Sequence, residues 1–237
     1  MDNNHVINNI LNGTVTFAGI SNSASPTSVS INGNHIDGNT SNITFIGISN
    51  NGTLAALDIN GNTINGNSST STFNAIQTSV AGTGTKNINN NNIQNNTLTG
   101  TSTLTGIINN ASPSFLSVSG NTFNSNTKNG TGTMNFINYG TPGIANVDNN
   151  IFINNTLTGG AGTCTFNCIS GSGSTFTANY NIFSNNGISS MSGASLATIT
   201  GINSPNTGPV NESIIGNQIR TLYVNGGTGT HTILGIN

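Results

Sequence analysis

The chain predicts an all-β fold, a single-stranded parallel β-helix of about eight coils of about 29 residues, forming one domain over residues 1–237. Three observations carry that prediction. A nine-residue signature returns eight times, a shorter motif follows every copy, and only 3% of the residues are charged.

The signature starts at Met1, Ile31, Ile59, Ile88, Val118, Val147, Ala178 and Ile214, at intervals of 30, 28, 29, 30, 29, 31 and 36 residues. Its fourth place is always Asn: Asn4, Asn34, Asn62, Asn91, Asn121, Asn150, Asn181 and Asn217. Its sixth place is always apolar, from Val6 and Ile36 to Phe183 and Ile219, and its ninth is Asn in seven copies, with Leu222 the exception. A fixed period with invariant slots means stacked structural repeats. The third place holds Gly or Asn in seven copies and Tyr180 in the other, which suits a left-handed corner residue.

The second motif runs Thr16 to Ile20, Thr44 to Ile48, Thr72 to Ile76, Thr103 to Ile107, Thr133 to Ile137, Thr165 to Ile169, Thr198 to Ile202 and Thr232 to Ile236. A large apolar residue always follows the Thr, as in Phe17, Leu104 and Ile233. Short alternating runs split by Gly and Asn read as strands. The density of Gly, Asn and Thr, without a 3.6-residue period, excludes helix.

Parallel strands stack about 4.8 Å apart, so eight coils span roughly 38 Å and like residues lie above one another. Ile, Val and Phe ladders then fill the interior. The fourth-place Asn points inward and bonds to the Asn of the next coil, which satisfies amides that a lone buried Asn would leave unpaired.

Composition bounds the partners. Lys86, Lys128 and Arg220 are the only basic residues besides three His. That is too few to neutralise a phosphate backbone, which argues against nucleic acid. No apolar run is long enough to span a membrane, and Met1 to His5 begins no signal peptide. Cys164 and Cys168 share one strand-like segment and read as small buried side chains on the same side.

The apolar-x-[Gly/Asn]-Asn-x-apolar-x-x-Asn turn resembles the repeat of the pectate-lyase-like superfamily over nearly the whole chain. That resemblance implies a right-handed winding. Phe123 to Asn126, Phe152 to Asn155 and Phe183 to Asn186 are also similar to the Phe-x-x-Asn repeats of bacterial autotransporter passengers, although the companion Gly-Gly-Ala-Ile motif is missing.

Polysaccharide-cleaving relatives of this architecture use clustered carboxylates. Here the acids are Asp2, Asp37, Asp58, Asp148 and Glu212. Asp2 and Asp148 share the second signature place but lie five repeats apart, roughly 24 Å along the axis. A glycosidase pair needs to be within about 10 Å, and only Asp37 with Asp58 leaves that open. The sequence therefore predicts neither an enzyme nor a cofactor. His5 and His35 share the fifth place and should stack as polar, outward residues, since no third metal ligand accompanies them.

Six copies carry Thr-x-Thr: Thr14 with Thr16, Thr70 with Thr72, Thr101 with Thr103, Thr131 with Thr133, Thr163 with Thr165, and Thr230 with Thr232, while Thr44 and Thr198 stand alone. With Phe17 inward, both threonines of each pair should face out. Such a face is similar to the ice-binding surface of β-solenoid antifreeze proteins. High strand propensity explains the threonines equally well.

The first and last copies carry no cap, although repeat arrays need covered ends. The irregular last copy gathers Glu212, Arg220, Leu222 and Tyr223 as a candidate subunit contact. The expectation is a structural solenoid at the cell surface or outside the cell, an adhesin stalk or a head-to-tail fibre of itself, or else a piece of a longer solenoid. Ice binding is the alternative, and polysaccharide binding or cleavage a second.

Overall fold

A computed structural model describes residues 1–79, 84–171, 175–204 and 211–237. The chain winds into a parallel β-solenoid of about seven turns, and every strand pair in it is parallel. Like residues pair with like from turn to turn: His5 with His35, Phe45 with Phe73, Ile59 with Ile88. The expected stack of equivalent residues is therefore present.

Each turn uses four strand segments. Strands Ser28–Asn32, Ala56–Asn60, Thr85–Asn89 and their successors form a seven-stranded return face. The signature face follows, with His5–Ile7, His35–Asp37 and Thr63–Asn65 as its first strands. A corner leads to a short face, which includes Thr40–Ser41, Ser68–Ser69, Thr97–Thr99, Thr127–Asn129 and Thr156–Thr158. The eight-stranded Phe face closes the turn, from Phe17–Asn22 to His231–Ile236. Strand Ile182–Met191 runs round the corner and joins the signature and short faces into one 14-stranded sheet.

Two left-handed corners bracket every signature strand. All eight third-place residues have positive φ, from Asn3 at 57° to Gly216 at 67°, and Tyr180 does so at 57°. All eight eighth-place residues do the same: Asn8, Gly38, Gly66, Asn95, Ser125, Asn154, Asn185 and Thr221. A backbone that turns this way favours Gly and Asn, which pay the least for it. The second corner went unrecognised in the sequence because its occupants are more varied.

The interior is filled by ladders. Phe17, Phe45 and Phe73 stack with ring centroids 5.1 and 4.8 Å apart, and Phe123, Phe152 and Phe183 with 5.0 and 4.9 Å. Phe136 tilts against Phe123 and Phe152 and meets Phe166 edge-on. Cys164 and Cys168 are both buried on this inner side as free thiols, and burial pushes both thiol pKa values up.

Candidate functional site

The most developed constellation in the molecule is a pair of buried amide ladders. In the first, each fourth-place Asn donates its backbone N–H and its Nδ2 to Oδ1 of the Asn one turn ahead. Asn62 does so to Asn91 at 3.0 and 2.9 Å, and Asn91 to Asn121 at 2.9 and 3.0 Å. The remaining Nδ2 hydrogen goes back one turn, to the carbonyl of a first-place residue: Asn62 to Ile31, Asn91 to Ile59, Asn121 to Ile88. Both amide hydrogens and both acceptor sites of Oδ1 are thereby used, so burial carries no unpaired polar group. The ladder runs unbroken from Asn4 to Asn217.

The second ladder was not anticipated, although the ninth-place Asn that builds it is plain in the sequence. Asn9, Asn39, Asn67, Asn96, Asn126, Asn155 and Asn186 repeat the same bonds, with Nδ2 reaching back to the sixth-place carbonyl, as in Asn96 to Ile64 at 2.8 Å. Each ladder stands directly behind one left-handed corner, so the corner residue turns the following Asn inward. Leu222 pairs with Asn186 and ends the second ladder. A shorter set lines the Phe face, where Asn22 donates to Asn50 at 2.7 Å and Thr78 to Asn109 at 2.6 Å.

Both ladders are polar along the axis. The backbone N–H and one Nδ2 hydrogen of each Asn face the next turn, and every Oδ1 faces the previous one. At the first turn Oδ1 of Asn4 and Asn9 faces outward along the axis, and both residues are exposed. At the last, Asn217 donates to the Ala178 carbonyl at 2.6 Å, with no Asn ahead of it.

Two lysines sit inside. Lys86 is 2% exposed and stands between Leu57 and Leu116 in the return-face ladder, and burial lowers its pKa to about 8. Lys128 is fully buried between Leu98 and Leu157, and its ammonium donates to the carbonyls of Gly100, Gly130 and Thr131 at 2.6, 3.1 and 2.6 Å. Arg220 is the exposed member of the three and donates to Gln218 at 2.8 Å.

The acids hold structure locally. Asp2 accepts the Asn32 N–H, and Asp148 the Asn179 N–H, each at 2.7 Å, doing at the second place what Asn32 does for Asn60. The Asn32 N–H holds the Asp2 carboxyl below its ordinary pKa. Asp58 accepts from Asn87 on the return face, whereas Asp37 lies on the signature face 3.6 Å from Nδ1 of His35. The pair left open in the sequence thus falls on two different faces. His5 and His35 stack as expected, with centroids 4.9 Å apart and planes 6° from parallel.

The threonine pairs divide. Thr133, Thr165, Thr198 and Thr232 stand in register on the Phe face. Thr16, Thr44, Thr72 and Thr103 immediately precede their strands, and Thr163 lies in one. Thr14, Thr70, Thr101 and Thr131 lie instead in bends, and Thr230 in a loop. Gly100, at φ 138°, and Gly130, at 108°, fold the chain just before two of those bends. A straighter hydroxyl array stands on the short face. Thr40, Ser68, Thr97, Thr127 and Thr156 are in register on five successive turns, and Thr99, Asn129, Thr158 and Ser189 form a row beside them.

In the last turn, Leu222 caps the second Asn ladder and Tyr223 lies over Gly187, where an added Cβ would come within 2.5 Å of the ring. Glu212 accepts from Ser204 at 2.6 Å. Glu212 thus stands on the return face, in the strand Asn211–Ser213, whereas Arg220, Leu222 and Tyr223 lie in the strand Gln218–Gly226. No protein-family model, curated protein or solved structure matches the chain.

Proposed function

We propose that the chain is a structural solenoid that extends head to tail, a second copy stacking its first turn on the last turn of the one before, as in a surface stalk or extracellular fibre. The axial polarity of the first Asn ladder carries this reading. Asn217 offers donors in the direction in which Asn4 of another copy would offer Oδ1. The apolar edges agree: Ile233 and Ile236 are 50% and 51% exposed at one end, and Phe17 and Val6 are partly exposed at the other. Covering such edges with another parallel strand is the ordinary remedy for an open sheet.

Negative-stain microscopy and sedimentation velocity at rising concentration test it. Rods in multiples of the single-chain length are expected, and Ile233→Lys should return them to monomers while leaving the fold intact by circular dichroism. Monomers alone at high concentration would overturn the proposal.

The short-face array favours one further reading, contact with ordered water in ice. Its hydroxyl rows repeat at about 4.8 Å along the axis and roughly 6.6 Å across it. Thermal hysteresis that Thr127→Lys abolishes would support that reading, and no effect of the native chain on ice crystal shape would dismiss it.

A further inference from the structure

The chain contains eight Asn-Gly pairs, beginning at Asn12, Asn32, Asn51, Asn60, Asn65, Asn129, Asn186 and Asn225. Such a pair is chemically labile, because the glycine nitrogen can attack the Asn side-chain carbon when that nitrogen is free and the chain can bend. The fold takes this freedom from five of them. The N–H groups of Gly33, Gly61, Gly66, Gly130 and Gly187 donate to carbonyls of neighbouring turns at 3.0, 3.1, 3.1, 2.8 and 3.0 Å in that order. Asn186 is also locked in its ladder. Gly52 is buried against the Ala24 carbonyl, and Asn225 and Gly226, although exposed, are held in the strand Gln218–Gly226, where Gly226 pairs with Met191.

Asn12-Gly13 differs. It lies between the strands Ile10–Leu11 and Phe17–Asn22, outside both left-handed corners, and Asn12 is exposed. Its side chain stands in no ladder. We infer that Asn12 is the site of spontaneous deamidation in the folded chain, and that the corner pairs are held inert by the solenoid itself. The Gly13 nitrogen bonds to Cγ of Asn12, its proton leaves with the side-chain nitrogen as ammonia, and a five-membered imide closes. Water then opens the imide at either carbonyl, giving aspartate or isoaspartate and adding a negative charge to the first turn.

The test holds the full chain in warm, mildly alkaline buffer and follows each Asn by mass spectrometry of chymotryptic peptides, with and without urea. In the folded chain Asn12 should convert faster than Asn32, Asn60 or Asn65 by roughly tenfold or more, because corner pairs react only when a turn opens. In urea the difference should disappear. Gly13→Ala should slow conversion at Asn12 alone, since a Cβ there meets only Leu11, at 3.8 Å. Equal rates in the folded chain, or the same order persisting in urea, would overturn the inference.

Discussion

Asn121 donates both its backbone N–H and its Nδ2 to one oxygen, Oδ1 of Asn150, at 2.9 and 3.1 Å. In turn, Oδ1 of Asn121 accepts the same two bonds from Asn91. Replacing Asn121 by Ala keeps its backbone N–H on Asn150 but strands the N–H and Nδ2 of Asn91 and the carbonyl of Ile88. Each buried group left unpaired costs about 1–3 kcal/mol. Asn121→Ala should accordingly lower unfolding stability by at least that much in a urea titration, whereas Asn4→Ala, at an exposed edge, should cost less than about 1 kcal/mol.

The first ladder was legible in the sequence because its slot is invariant and its corner partner is nearly always Gly or Asn. The second was equally available at the ninth place. Ser125 and Thr221 at the preceding corner hid it, since a left-handed backbone is unusual for both. The inward lysines were not legible at all. Lys86 and Lys128 occupy places where the neighbouring turns hold leucine, and only register, not composition, shows which side of a strand such a residue faces. The division of the threonine pairs was not legible either, because a one-dimensional spacing cannot tell a strand from the bend that leads into it.

Lys86 makes stability depend on pH. Its pKa falls from 10.5 to about 8 on folding, so between those values the unfolded chain binds more protons than the folded one. The destabilisation that burial of Lys86 brings is then relieved as pH increases through that window. Thermal melts from pH 7 to 9, taken at about constant ionic strength, should show the midpoint of the native chain climbing relative to that of Lys86→Leu, whereas at higher pH the raised pKa values of the buried Cys164 and Cys168 thiols act in the opposite sense.

Lys128 is predicted to behave differently, because its ammonium serves three carbonyls. Lys128→Met keeps the length of the side chain and fits between Leu98 and Leu157, but it leaves the carbonyls of Gly100, Gly130 and Thr131 without that donor. The expected loss is about 1–3 kcal/mol by chemical denaturation.

Gly106 faces the ring of Phe123 closely: an added Cβ would lie 2.5 Å from its Cε1 and 2.7 Å from the Phe136 carbonyl oxygen. Gly106→Ala should destabilise the chain by about 1–3 kcal/mol through overpacking. Phe123→Leu on that background should restore only part of the loss, since the carbonyl contact belongs to the backbone. A double-mutant cycle in urea measures the coupling.

The like-on-like register has a consequence for length. Among the described residues strand pairing joins each turn only to the turns before and after it, so the array behaves as a string of interchangeable units. Excising residues 118–146, one complete interval between signature starts, would set Val147 where Val118 stood, Asn150 where Asn121 stood and Phe152 where Phe123 stood. Every ladder would close over the cut. A molecule built this way is a ruler whose markings can be removed or copied, and its reach is set by counting repeats.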